Sequence, residues 1–271
     1  IYVVLTVAAT GVDISVNFDD KAVVHSYKIM QGIGMILLFA VPAVLFAVIW
    51  TKDKLSFIGI DKLASYGVTL VASIGMILAL PLINYLATLN ESMVLPDFLE
   101  EVQVWMIQSE EQAKQILEAF TAGTTLEDLL MNIIVIALIA AVSEELFFRG
   151  VLQNVLIKCL NNHHLAIWIG AIFFSAFHMQ FFGFLPRMLM GAYLGYLFFW
   201  TGSLWPSIMA HFVNNAAAVY IDWLVKKGAI ADDIENVGST SNEWIQVILA
   251  VVLVITCLKY IYNNKAVATK G

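Results

Sequence analysis

The sequence predicts an all-α fold: a polytopic transmembrane helix bundle of about eight spans, with an amphipathic extramembrane helix near residues 96–120. Three observations carry this. The 271 residues are 61% hydrophobic and only 13% charged, against about 45–50% and about 25% in soluble globular domains. Apolar runs approaching the ~20 residues needed to cross a bilayer recur along the whole chain. The segments between them alternate in charge. The net charge of −7 comes without a basic patch, which argues against a nucleic-acid partner. Cys159 and Cys257 are too few for a disulfide framework and are expected as reduced thiols.

Taken in order, Ile1–Gly11 is apolar but too short to span alone. The chain begins with Ile1 rather than Met, so this run is read as the cut tail of a first span. The segment 12–31 is polar, with Asp13, Asp19 and Asp20. Ile33–Trp50 is the second span and contains Pro42; Gly67–Leu89 is the third and contains Pro81. Proline is better tolerated in lipid-embedded helices than in soluble ones.

Asn90–Gly123 differs. It carries Glu91, Asp97, Glu100, Glu101, Glu110, Glu111 and Glu118 against Lys114. Its apolar residues, Val102, Trp105, Met106, Ala113, Ile116, Leu117 and Phe120, fall close to helical spacing. This is an amphipathic helix that lies on the membrane or caps the bundle; a solvated helix packed on its neighbours fits the same pattern.

Thr124 followed by Glu127 is a capping-box pattern that opens the next helix. That helix runs through AVSEELFFRGVLQ (141–153) towards Lys158, with Gly150 as a candidate bend. Leu165–Met179, the short run Pro186–Trp200, Leu204–Val225 and Trp244–Tyr262 complete the set. The segment 51–66, the stretch 158–164 and the tail with Lys259, Lys265 and Lys270 are basic, while 12–32, 90–123 and 228–243 are mostly acidic. Positive residues favour the cytoplasmic side, which with eight spans places both termini there. No repeat or second domain is visible, so residues 1–271 read as one integral membrane domain with a core at about 126–226.

Inside this apolar frame a few polar residues stand out. Glu144, Glu145 and Arg149 would together cost about 7–10 kcal/mol at a helix centre if unpaired. A chain keeps such charges when they pair, face a wet cavity or do chemistry. Glu145 and Arg149 are four apart and share a face, so they can pair. Glu144 points about 100° away and lacks that partner, leaving one carboxylate free to work. A carboxylate in a low-dielectric pocket is suited to act as a general base near neutral pH.

His178 follows Phe174 by one turn, and Asn215 follows His211 by one turn, beside Asn214. Any one of these histidines, taken singly, is best read as a packed residue; together with the carboxylate pair they read as a site. Glu144 lies 14 residues from Lys158, and His178 lies 14 from His164, so both sit about 20 Å from the same membrane side. His211 follows Leu204 by only seven residues, about 10 Å. It reaches that depth only if the turn at 201–203 is recessed.

Glu144-Glu145-x-x-x-Arg149, Phe174-x-x-x-His178 and His211-x-x-x-Asn215, in this order on successive helices, resemble the three motifs of the CPBP family. This family comprises CAAX prenyl endopeptidases and bacteriocin-processing or self-immunity membrane proteins, also called Abi. The residues that follow, GFLPRMLMGAYLGYLFFWTGSLWPSIMAHFVNNA (183–216), resemble its bacterial branch. The motifs cover less than a third of the chain.

The resemblance implies an intramembrane endopeptidase of the bacterial inner membrane that acts on a membrane-associated or C-terminally processed peptide or protein. It implies Glu144 and His178 as activators of water, His211 and Asn215 as oxyanion stabilisers, and Glu145 and Arg149 as holders of the helix register. A divalent metal remains open: Glu144, His178 and His211 with a water would make a normal catalytic zinc set. The absence of H-E-x-x-H excludes only a zincin-type site. Two other readings stand beside the peptidase. One is a non-catalytic immunity or scaffold protein that contacts a partner through 90–123. The other is a secondary transporter with an ionisable midplane site, which the lack of an internal repeat disfavours.

Overall fold

The computed structural model describes residues 20–231, 237–238 and 243–265. The apolar run 1–11, Asp13, Asp19, part of the acidic segment 228–243 and Lys270 lie outside the described residues. Among those described the protein is a helical bundle with no strand. Its helices are α1 Lys21–Trp50, α2 Lys54–Ile58, α3 Tyr66–Leu78, α4 Leu80–Glu91, α5 Glu100–Thr121, α6 Leu126–Leu160, α7 His163–Ala176, α8 Phe184–Thr201, α9 Trp205–Lys226 and α10 Trp244–Asn263.

Each apolar run expected within the described residues has its helix, but the span count is lower than expected. Among the described residues, four stretches are long and apolar enough to cross a membrane: α1, α6, Phe181–Thr201 and α10. A fifth is reached if α3 and α4, bent by 44° at their junction, form one span. The expected count of about eight is not reached among the described residues. Helix α7 is too short, with 14 residues. Helix α9 has the length but dilutes its apolar face with His211, Asn214, Asn215, Asp222 and Lys226.

The prolines act differently in the two N-terminal spans. In α1 a wide π-type turn at Ile36–Ala40 directly precedes Pro42, and the helix continues. In the third expected span Pro81 sits in the first turn of α4, where its missing N–H is harmless, and the chain breaks there.

Helix α1 also starts earlier than the apolar run suggests, at Lys21 rather than Ile33. Asp20 caps it by accepting from Ala22 N–H at 2.8 Å. Two polar residues of its first turns reach a partner, since Lys21 and His25 both approach Asp128 of α6, at 3.4 and 3.5 Å.

The capping box of α6 is formed by Thr125 and Asp128, one residue on from the expected Thr124 and Glu127. Thr125 Oγ1 accepts from Asp128 N–H, and Asp128 Oδ2 accepts from Thr125 N–H, both at 3.2 Å. Gly150 does not end α6, which runs on through wide π-type turns at Ile133–Ile139 and Phe148–Gln153. A Cβ at Gly150 would lie 3.3 Å from Ile58 Cβ, so this glycine admits α2.

Helix α7 packs along α8, α9 along α3, and α6 against α1 and α9. The turn between α8 and α9 is packed inside the protein: Ser203 and Leu204 are fully buried. The segment after α2 covers it, through Leu204 N–H to Gly59 carbonyl at 2.8 Å, Ser203 Oγ to Lys62 carbonyl at 2.5 Å and Trp205 Nε1–H to Ile60 carbonyl at 3.0 Å.

Helix α5 caps the bundle. Phe120 and Thr121 are buried at its end, Trp105 meets Phe181 with ring centres 5.0 Å apart, and Glu110 Oε2 accepts from Phe182 N–H at 3.3 Å.

Candidate active site

The middle of α6 presents its charges to the bundle interior. Glu144 and Arg149 are each 2% exposed and Glu145 is fully buried. Three buried charges in an apolar frame are tolerable only with partners, and the sequence supplies them at helical spacing. Arg149 Nη1 donates to Glu145 Oε1 at 2.7 Å, and His211 Nδ1–H donates to the same oxygen at 2.8 Å. Arg149 Nη2 donates to Gly191 carbonyl at 2.9 Å, and the guanidinium lies over the Phe174 ring at 4.6 Å. Glu145 is thus the anion that ties α6 to α9, while Arg149 ties α6 to α8.

One turn later the tie to α8 repeats: Gln153 Nε2 donates to Gly195 carbonyl at 3.0 Å. A Cβ at Gly195 would come within 2.9 Å of Gln153 Oε1 and of Ile167. Gln153 is a buried member of this region that the motif reading missed. The signal was present: Arg149 and Gln153 are four apart on α6, as Gly191 and Gly195 are on α8.

Glu144 has a different environment. No hydrogen bond from a described residue reaches it. Its Oε2 is buried without a partner, and His211 Nε2 stands 3.9 Å away. His211, 2% exposed, therefore bridges the two carboxylates, bonded to one through Nδ1 and facing the other through Nε2.

His178 does not lie in a helix. Helix α7 ends at Ala176, and His178 sits in the following turn, where Met179 takes a left-handed φ of 54°. The Phe174 relation holds across that end: His178 Nδ1–H donates to Phe174 carbonyl at 2.8 Å, and the rings are 5.0 Å apart. The Phe174 ring also meets His211 edge-on at 5.8 Å. One phenyl group thus separates the two histidines and carries the arginine on its face. Asn215 Nδ2 donates to Ile136 carbonyl at 3.3 Å, and its Oδ1 accepts from Asn214 at 3.2 Å.

The structure therefore brings Glu144, Glu145, Arg149 and His211 into one cluster, sets His178 beside it through Phe174, and holds Asn215 against the backbone of α6. For a metal, the fit fails. Among the described residues no group of three His, Cys, Asp or Glu side chains is arranged to hold an ion, so Glu144, His178 and His211 do not converge as a ligand set.

Comparison with known proteins agrees with the motif reading. The model of the family described as type II CAAX prenyl endopeptidase Rce1-like matches residues 126–217. Among curated proteins, the uncharacterized protein YpbD of Bacillus subtilis is 32% identical over 89 residues, which are 31% of this chain and 42% of that relative. The match thus spans less than half of the relative's length. No solved structure matches. Helices of span length and this family together describe an integral membrane protein. It is over residues 126–217, the stretch that holds every candidate site residue, that the chain is similar to the type II CAAX prenyl endopeptidases of the Rce1-like family.

Proposed function

We propose that the protein is an intramembrane endopeptidase that hydrolyses a peptide bond of a membrane-associated substrate by a glutamate-activated water. The observation that carries this is Glu144, a buried carboxylate without a hydrogen bond beside a second carboxylate that holds the hydrogen bonds of both Arg149 and His211. Burying a charge without compensation is costly, and such residues inside a membrane mark working sites.

In this reading Glu144 accepts a proton from water as the water oxygen bonds to the scissile carbonyl carbon. His178, with Nδ1–H committed to Phe174 carbonyl, has Nε2 left to accept a hydrogen bond from that water and orient it. The carbonyl oxygen gains the negative charge, and the second amide hydrogen of Asn215 is the candidate donor to it; His211 adds a donor at Nε2 only as the doubly protonated imidazolium, because Nδ1–H is committed to Glu145. The C–N bond then breaks, and the proton held by Glu144 passes to the leaving amine. Glu145 and Arg149 position His211 and α6. No step is routed through a metal. The bacterial inner membrane, with both termini cytoplasmic, is the proposed location, on the loop charges and the family resemblance.

The test is cleavage of a quenched peptide by the protein in lipid nanodiscs. Glu144→Gln should lower the rate by about 10²–10⁴-fold, the usual worth of a general base, while the protein still folds. Retention of the full rate in that variant would remove Glu144 from the mechanism. Activity lost to chelator and restored by zinc would replace this mechanism with a metal-dependent one.

A further inference from the structure

The peptidase reading leaves one cation near the site unused. Arg187 lies on α8, and its guanidinium folds back over Gly183, where a Cβ would come within 2.6 Å of Nη2 and 2.8 Å of Cζ. A glycine at 183 is what leaves room for the fork. Nη1 donates to Gln180 Oε1 at 3.0 Å, and Nη2 donates to the backbone carbonyl of Gln180. Nε–H is buried and meets no acceptor among the described residues. No carboxylate of a described residue lies within ion-pair distance of this arginine.

The anions it faces at longer range are Glu110 of α5 and Glu144 of α6. Glu110 Oε2 is already engaged by Phe182 N–H. From the other side, Arg187 is the charge that His178 feels most. The field of the arginine thus reaches both the capping helix and the candidate reacting pair.

Its two bonds to Gln180 explain how the turn after His178 is clamped to α8. They do not explain a guanidinium in that place, because two neutral carbonyls could be met by a neutral donor at lower cost. Two of its five N–H donors are used, and its charge has no contact partner, which is the disposition of an unfilled fork for an anion. The nearby Glu110 and Glu144 limit how much negative charge can enter, which favours a monoanionic carboxylate over a doubly charged phosphate.

We infer that Arg187, shaped by Gln180 and Gly183, holds a carboxylate of the peptide substrate beside His178, either the C-terminal carboxylate or an Asp or Glu side chain. The inference rests on the peptidase reading, and it makes Arg187 the residue that sets which peptides are accepted.

The experiment measures binding, so that it does not depend on turnover. Full-length Glu144→Gln protein in neutral-lipid nanodiscs is titrated with a fluorescent, N-terminally acylated short peptide pool in three forms. One has a free C-terminus, one is C-terminally amidated without acidic residues, and one is amidated with a single Asp near the end. One of the carboxylate forms should bind about 10–100-fold more tightly than the plain amide, the range of a charge-assisted hydrogen bond in a buried site. Which form does so identifies the source of the carboxylate.

Adding Arg187→Gln should bring that ratio to near one. Gly183→Ala, which crowds the guanidinium without removing its charge, should reduce the ratio as well and stands in if the arginine variant does not fold. Equal binding of all three forms, including no binding of any, overturns the proposal, as does a preference that survives both variants. A protein that cleaves without a carboxylate preference sinks this inference alone. A protein that selects carboxylates but never cleaves any peptide sinks the peptidase reading and leaves the binding site standing.

Discussion

Helix α6 carries two buried acidic centres, and they are treated in opposite ways. Asp128, in the first turn, is 2% exposed and surrounded by donors: Thr125 N–H and Oγ1, Lys21 and His25. Near the middle of the same helix, Glu145 receives Arg149 and His211 while Glu144 receives no hydrogen bond. Both centres draw a partner helix onto α6, α1 in the first case and α9 in the second. Only the second contains a carboxylate beyond what holding the helices requires. A satisfied buried acid is sufficient for architecture; a surplus one needs a use.

The strongest way to break this comparison is within the pair itself. Glu145→Ala strands Arg149 and His211 in the bundle without their shared anion. Removing one partner of a buried ion pair costs about 3–5 kcal/mol, so a large fall in folded yield and in the unfolding midpoint in detergent is expected. Glu144→Ala removes a group that no donor supports, so its unfolding midpoint should stay close to that of the unsubstituted protein. If the two variants lose equal stability, the division between a structural and a working carboxylate is wrong.

The other centre offers a smaller effect of the opposite kind. Asp128→Ala removes the returning half of a capping box, part of a cap worth about 0.5–2 kcal/mol, and an ion pair with Lys21, which is 60% exposed and adds little. The unfolding midpoint should drop modestly. The cleavage rate per folded molecule should not change, because Asp128 is a first-turn residue remote from Glu144 along α6. A loss of rate at unchanged stability would mean that the α1–α6 contact couples to the site.

The sequence made the second centre easier to read than the first. Glu144, Glu145 and Arg149 stand out because three charges interrupt an apolar run, and the four-residue spacing of Glu145 and Arg149 is local. The partners of Asp128 come from Lys21 and His25, about a hundred residues away, in a segment whose polarity reads as loop. A polar stretch that sends two of its side chains to a distant buried acid has no local signature, which is why the apolar run predicts a start only at Ile33. The same limit hid the link of His211 to Glu145. The motif spacing placed His211 with Asn215, whereas the contact between α6 and α9 placed it between two carboxylates. His178 fell in a turn rather than a helix because α7 stops at Ala176. The count of eight spans is not confirmed among the described residues because the first expected span lies outside them, α7 is too short, and α9 carries polar groups that cost it the apolar character by which a span is recognised.

Glu110 sharpens the comparison as an intermediate case, and here the expected effect is smallest. It lies on α5, outside the spanning helices, half-buried against the turn that follows His178. Burial raises its carboxyl above the ordinary value of 4.5, while the Phe182 N–H and Arg187 pull it down; the net direction is up. The docked state therefore favours the protonated acid. That contribution is fully present below the unfolded value and is lost as pH rises through the raised one, so α5 should dock less tightly as pH climbs from the acidic range towards neutrality. Hydrogen exchange at the Phe182 amide, corrected for intrinsic rate, reads this directly: protection should decline with rising pH. In Glu110→Gln the side-chain carbonyl can still accept from Phe182 N–H but cannot ionise, so the decline should flatten. An unchanged slope in that variant would place the titrating group elsewhere and return Glu110 to the class of satisfied acids that Asp128 represents.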